Sequence, residues 1–471
     1  MTLRSTTNRS KSGFYIEVGC PGCGGRLTIE SSFFVLTCEH CGSVLRLTMP
    51  DTPVVYVVRA KVTRREVRFG IDRYLKSNKL PLTGSDLEFK HIYYPYWKID
   101  AVLLKVRNDI IRVTYRQGED GQRETSNERR RTDINLTPYL TTVGAGGQFE
   151  GIPDTIGMRV DYLNVLPYSR TNTQDGFDAM PVARPWSEAW AEVVARVADI
   201  GEVAIADFGM NRTELFNPVA SLVYFPYVIV ESYAGGDFNR WVVDGVTCRV
   251  LAHVDEVSPL DYGEKEAAAD LEFGELDVDF HRCPNCAEDL PAEQSYVYIC
   301  RNCHQMIVHE LFARDISQIA LVSAQYGQDD LLFPFWSLKM SAADSEKFQH
   351  LFGGMYRSDR LVIPAFKVGN FEAMYRLSKR LSAALPQFDL QPIDTFDRRC
   401  LPVGLSMSEA LMLVDVVICR AELDRNPEGL TQHLKATTEE VSLFFAPFHK
   451  ENYFYVDSAL GSVTFEKSFV S

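Results

Sequence analysis

The sequence has no run approaching about 18 consecutive apolar residues, which argues against a transmembrane helix. Met1–Ser12 is polar, and no apolar stretch follows Arg4, Arg9 and Lys11, so no secretory signal is expected and a cytoplasmic location is. Gly-x-Ser-x-Gly, His-Glu-x-x-His and the dinucleotide fingerprint are all missing, and Gly144–Gly147 lacks the lysine and hydroxyl residue of a phosphate loop. An excess of positive charge is missing too: 49 Lys plus Arg face 63 Asp plus Glu, a net charge of −14 that repels polyanions on average. What the chain does have is ordinary globular content over 471 residues, 46% apolar and 24% charged, enough for about three domains.

The cysteines carry the strongest signal. Eight of 11 fall into four Cys-x-x-Cys pairs. Cys20-Pro-Gly-Cys23 and Cys38-Glu-His-Cys41 are 14 residues apart; Cys283-Pro-Asn-Cys286 and Cys300-Arg-Asn-Cys303 are 13 apart. Two thiolates on one tight turn make half of a tetrahedral site, and a second such turn brought opposite completes it. Hairpins are expected between the pairs, from Arg26 to Thr37 and over Tyr296–Ile299. Gly24, Gly25 and Gly42 suit the first turns, while Ala287 and His304 make the second set less ideal. The double pattern resembles the zinc-ribbon family, which implies two structural zinc ions. Iron uses the same ligands. Disulfides do not suit a cytosolic chain, and a redox motif needs a single pair in a βαβ unit. With four protein ligands, no coordination position is left for catalysis. Each ribbon offers little apolar sequence, so metal is expected to supply most of its folding energy. His40 and His304 flank the ligands as alternatives or supporting donors; His281 and His309 lie near the second ribbon. Cys248, Cys400 and Cys419 read as buried small hydrophobes.

The ribbons begin 263 residues apart, which suggests a pseudo-duplicated α+β chain. The expected division is a ribbon at 13–49, an α+β domain at 50–255, an acidic linker at 256–279, a second ribbon at 280–310 and a second α+β domain at 311–471. Residues 117–131 and Gly144–Gly147 read as loops. Aromatic strands interrupted by proline recur: Tyr93–Trp97, Tyr224–Tyr227, Phe333–Trp336, Ile363–Phe366 and Ala446–Phe448. Proline cannot donate to a ladder, so it belongs at an edge or a bulge; these segments read as bent core strands of a repeated α+β unit, with a groove of exposed aromatics as the alternative. Helices are expected after the capping box Thr63-x-x-Glu66, after Asn370, after Ser406-x-x-Glu409, and from about Ser187.

The segments Ser221–Val250, Val362–Val368 and Phe444–Gly461 resemble bacterial proteins with a general-transcription-factor-B-type zinc ribbon. In that pattern a Pro-Phe-Lys strand leads into a helix, and a later hairpin closes on an (Asn/Asp)-Gly-x-Thr-Gly turn. Here Cys248 stands where that turn has its glycine. The resemblance implies no catalytic residues, and some of those proteins are linked to membrane-stress systems, so membrane-associated partners are compatible with it.

The expected function is a non-enzymatic scaffold that assembles protein partners through ribbon hairpins and aromatic strands. Exposed aromatics near Trp97, Trp336 or Tyr227 would mark such a surface. The alternative is binding to nucleic acid or an anionic surface. Between Arg59 and Lys79, eight basic residues face two acidic ones, and Arg64, Arg65, Arg68 and Arg73 are the candidate contacts. The acidic chain as a whole disfavours that alternative.

Overall fold

The computed structural model describes residues 15–470 except 31–32, 49–51, 81–85, 117–123, 158–162, 170–171, 203–210, 235–236, 256–271, 309–315, 325–326, 328, 354–357, 369, 396–398 and 426–435. The fold is α+β. The chain forms two compact units: Met1–Ala101, Pro138–Arg196 and Pro218–Asp279 make unit 1, while Val102–Thr137, Val197–Asn217 and Phe280–Ser471 make unit 2. The 50–255 stretch is therefore shared between them.

Unit 1 is built on strands β1 (Tyr15–Gly19), β2 (Arg26–Glu30), β3 (Val35–Thr37), β4 (Val44–Thr48), β5 (Val54–Val57), β6 (Leu87–Arg116), β7 (Glu124–Gly144), β8 (Asn164–Pro167), β9 (Phe177–Ala179), β10 (Asn211–Ala234), β11 (Asp237–Asp244), β12 (Val250–Val254) and β13 (Asp277–Phe280). The long strands β6, β7 and β10 run on into segments of unit 2. Helices α1 (Arg64–Ser77) and α2 (Trp186–Glu202) accompany them. One sheet runs β12-β11-β10-β5-β8-β1-β2, with β6 beside β10 and carrying β7 and β9. Helix α1 starts where expected. Thr63 accepts from the Glu66 amide, Glu66 accepts from the Thr63 amide, and Val67, Ile71 and Leu75 are buried. Those three pack with Val228, Val230, Trp241 and Val243.

Unit 2 contains β14 (Val297–Ile299), β15 (Met306–Val308), β16 (Ile316–Val322), β17 (Leu331–Met340), β18 (Arg360–Pro364), β19 (Leu390–Pro392), β20 (Thr438–Glu451), β21 (Phe454–Asp457) and β22 (Thr464–Glu466). Its sheet runs β18-β17-β20-β16-β19, with β21 and β22 extending from β20. Helices α3 (Ala342–Phe352), α4 (Phe371–Ala384) and α5 (Met407–Arg425) pack with it. Asn370 caps α4, and the Ser406–Glu409 box opens α5.

The proline-aromatic strands belong to the core, and β18, which carries Pro364, is also the edge strand of its sheet. Trp97, Trp336 and Tyr227 are 0% exposed, so they offer no docking surface. The prolines sit inside central strands because each lies where the partner strand leaves. The carbonyls of Pro95 and Pro334 accept from Ala145 and Ala365 at 2.9 and 3.0 Å. Those of Pro226 and Pro447 accept from Gly245 and Ser458 at 3.0 and 2.9 Å. In a strand, N and O of one residue face the same side. The missing N–H thus falls where the ladder has just ended: β17 pairs β18 up to Phe335↔Pro364, and β10 pairs β11 up to Tyr227↔Asp244.

The same bonds recur in each unit. In unit 1 the Ala145 carbonyl accepts from the Ala183 and Arg184 amides, and the Arg184 carbonyl accepts from Trp97 Nε1 at 2.8 Å. In unit 2 the Ala365 carbonyl accepts from the Leu405 amide, and the Leu405 carbonyl accepts from Trp336 Nε1 at 3.0 Å. At the closing hairpins, Asp244 Oδ1 accepts from the Val246 and Thr247 amides, and Asp457 Oδ1 from the Leu460 and Gly461 amides. Cys248 takes φ 61°, and Gly461 takes φ 64°.

Three expectations change. Glu124–Arg131 is strand β7 rather than loop, while 117–123 lies outside the described residues. Of the linker at 256–279, 256–271 lies outside them; in the rest, Gly274 makes an isolated bridge to Val54, and Asp277–Asp279 belong to β13, which pairs β4. Helix α3 is additional to the helices the sequence announced.

Trp336→Ala should destabilise unit 2 by about 3–5 kcal/mol, since it opens a cavity and strands the Leu405 carbonyl. Denaturant unfolding followed by fluorescence checks this; a loss under about 1 kcal/mol would remove the tryptophan from its place in the core.

Candidate metal centres

Each cysteine pair occupies the turn of its own hairpin. Cys20–Cys23 joins β1 to β2, Cys38–Cys41 joins β3 to β4, and Cys300–Cys303 joins β14 to β15. Cys283–Cys286 lies under the Arg282↔Asp289 bridge. The segments between pairs therefore do not fold into hairpins of their own. Arg26–Glu30 pairs backward with β1, and Val35–Thr37 forward with β4.

All four turns share one backbone geometry. The amide of the residue four after the leading cysteine donates back to that cysteine's carbonyl: Gly24 to Cys20, Gly42 to Cys38, Ala287 to Cys283 and His304 to Cys300, at 2.8 to 2.9 Å. This residue is left-handed each time, with φ 71°, 77°, 60° and 57°. Glycine accepts that conformation freely, while Ala287 and His304 carry a cost of about 1–2 kcal/mol each. The second site is strained where glycine was lacking, yet its turns close in the same way.

The sulfurs converge into two groups, Cys20, Cys23, Cys38, Cys41 and Cys283, Cys286, Cys300, Cys303, with the sulfurs of each group within 4.8 Å of one another. Sγ–Sγ separations are 3.7 Å for Cys20–Cys41, 3.8 Å for Cys23–Cys38, 3.6 Å for Cys283–Cys303 and 3.4 Å for Cys286–Cys300. A tetrahedron with metal–sulfur bonds of about 2.3 Å has edges of about 3.8 Å, so both groups fit a metal ion. In each group the leading cysteine of each pair (20, 38, 283, 300) is buried, while its mate is exposed or half-buried.

Neighbouring groups spread the thiol acidities. The Ser43 hydroxyl and amide pull Cys41 down to about 6. The Asn285 side chain and the Gln305 amide bring Cys303 to about 6. The Glu288 amide and the Asn302 side chain lower Cys286. Burial pushes Cys300 up to about 11. Cys23 also lies at about 11: the Gly25 amide favours its thiolate, but desolvation and the neighbouring thiols outweigh that. Ser43, Asn285 and Asn302 were not singled out from the sequence, where only their place inside or beside a Cys-x-x-Cys pair marked them.

The histidines do not join the ligand groups. His40 packs on Gly25 with Nε2 3.3 Å from the Arg26 carbonyl. His304 serves through its backbone. His281 is buried edge-on to Tyr298 at 4.4 Å, and His309 lies outside the described residues. Cys419 is buried as expected, whereas Cys248 and Cys400 are half-buried.

Neither ribbon is as poor in apolar burial as its sequence suggested. Ile16 joins the unit 1 core and Val297 the unit 2 core. Leu27, Ile29, Val35, Leu45 and Leu47 are buried as well. Apolar packing thus stabilises both hairpin regions directly.

The basic segment does not act as one face. Arg65 and Arg73 line a groove with Lys61 and Arg249, whereas Arg64 lies over the Phe89 ring at 5.7 Å, and exposed Arg68 does not line the groove. None of the described helices is long and apolar enough to cross a membrane. Compared with known proteins, the chain matches no family model, no curated protein and no solved structure.

Cys23→Ser and Cys286→Ser should each remove one of two metal ions per chain. Unchanged metal content in both variants, measured by elemental analysis, would contradict the ligand assignment. Acid should release the metal. A thiol depressed in the folded chain contributes stability above its unfolded value of about 8.5 and loses it as pH falls through the folded value. The ligands bind as thiolates, so metal should stay bound at about pH 8 and be released as acid protonates them. A chelating dye reads the release; content independent of pH down to about 3 would contradict it.

Proposed function

We propose that this protein is a non-enzymatic, zinc-stabilised scaffold that assembles protein partners through its ribbon hairpins. The observation that carries the reading is the closed donor set. Each site draws four thiols from the chain itself, which leaves no coordination position for substrate. Zinc is favoured because it holds four thiolates tetrahedrally without redox chemistry, and the exposed mates at the turn tips suit a structural ion. The resemblance to general-transcription-factor-B-type ribbons agrees with this role. A cytoplasmic setting, where thiols stay reduced, does too.

We also infer that the two units are copies of one design. The proline–alanine–tryptophan relay, the aspartate-capped closing hairpin and the left-handed residue at its end recur in the same chain order. The sequence matches support it: Pro181-Val182 and Ser187-Glu188-Ala189 correspond to Pro402-Val403 and Ser408-Glu409-Ala410. Since the aromatic strands are core, the surfaces left for partners are the ribbon turns and the elements that differ between units.

Affinity purification of the chain from its own cells tests the reading. Stoichiometric protein partners, lost when the exposed turn tips Glu39 and Arg301 are changed to residues of opposite charge with metal content intact, are expected. Recovery of nucleic acid alone, or of the chain by itself, would overturn the scaffold reading.

A further inference from the structure

Helix α1 and the β11–β12 turn of unit 1 enclose a groove of about 1290 Å³. Its rim is cationic, with Lys61, Arg65, Arg73 and Arg249, and its one carboxylate, Glu66, is already engaged with Thr63 in the helix cap. Among the described residues none of these four cations makes a salt bridge, and all four are exposed. The wall is apolar: Val62, Val246 and Val250 line it beside Phe69, which is 63% exposed with the Arg73 guanidinium 5.3 Å from its ring centre.

Four cations around one recess run against a chain of net charge −14. In unit 2 the connection between β16 and β17, which stands in the place of α1, holds no helix among the described residues. The groove floor is also built by close approach. A side chain at Gly70 would meet the Cys248 carbonyl oxygen at 2.8 Å, and Cys248 holds the left-handed conformation that Gly461 occupies in unit 2. Non-glycine residues kept in that conformation concentrate at functional sites.

We propose that this groove binds an acidic peptide segment of a partner protein, with carboxylates on the arginine rim and an apolar side chain against Phe69. The occupant follows from the lining. Cations gathered around an apolar recess match a peptide that alternates carboxylates with apolar side chains. A nucleic-acid strand needs a basic strip with stacking platforms along it, and it meets the field of an acidic chain. This inference gives a partner chemistry to the scaffold reading and rests on it.

The test uses the metal-loaded full chain and a fluorescein-labelled peptide of glutamates with two leucines, titrated by fluorescence anisotropy. A single-stranded DNA oligonucleotide of equal charge is the competitor. The peptide should bind and should outcompete the oligonucleotide. Arg65→Glu with Arg73→Glu should weaken binding on the order of tenfold, since each lost attraction is replaced by repulsion. Phe69→Ala should weaken it without any change of charge. Arg68→Glu, on the same helix but outside the groove, should leave affinity within about twofold. Absence of peptide binding would overturn the proposal. So would equal losses from Arg68→Glu and the groove pair, or tighter binding of the oligonucleotide. If the purification still yields protein partners while the peptide fails, the groove assignment falls and the scaffold reading stands.

Discussion

Four ionisable thiols within 4.8 Å of one another cannot all carry charge unless a cation sits among them. That constraint governs both ribbons. Ionising the second, third and fourth sulfur becomes steadily harder, and hydrogen bonds from Ser43, Asn285 and nearby amides offset only part of this. Acidities spread from about 6 at Cys41 and Cys303, favoured chiefly by Ser43 and by Asn285 with Gln305, to about 11 at Cys300 and Cys23, where burial and the neighbouring thiols oppose charge. A divalent ion would remove the conflict, and its binding energy would become stability for the turns that hold it. Those turns continue into strands, so an ion bound there would also tie hairpin to hairpin.

Beyond the ribbons, the sheets rest on a second economy of hydrogen bonds. Proline is ordinarily excluded from central strands because it lacks a donor. Here each of four prolines stands at the place where its neighbour departs, so no acceptor is left waiting. The residue that departs gives its amide to the proline carbonyl, and in two cases its own carbonyl leads on to the loop that receives the buried tryptophan. Strand end, loop and tryptophan are fixed together. This explains how Tyr93–Trp97 and Phe333–Trp336 can be fully apolar-facing cores despite a helix- and sheet-breaking residue.

Much of this was legible in the residues. Cysteine spacing located both donor sets, because ligand geometry requires two short turns and little else. Capping boxes at Thr63 and Ser406 located their helices, since the side-chain and backbone partners are all within three residues. What depended on distant chain stayed hidden. The aromatic strands read as bent core strands from their apolar runs, but the ladder that ends at Pro95 is supplied by Ala145, and nothing near Pro95 records it. Residues 272–279 read as linker from their acidity, although Gly274 bridges Val54 and β13 pairs β4, both far earlier in the chain. Arg129–Arg131 read as loop because charge and glycine surround them, while the strand they join is set by hairpin pairing. Arg249 belongs with Lys61 and Arg65 only through the fold, so the groove could not be assembled from the basic run alone.

The most direct measurement is X-ray absorption at the metal edge of the purified full chain. Zinc is expected at both sites, each surrounded by four sulfur atoms at about 2.3 Å and no oxygen or nitrogen ligand. Iron at the edge, or a shell with nitrogen or oxygen from a histidine, carboxylate or water, would contradict it. An open or mixed shell would reopen catalysis at these centres; a closed sulfur shell leaves them as the rivets of the fold.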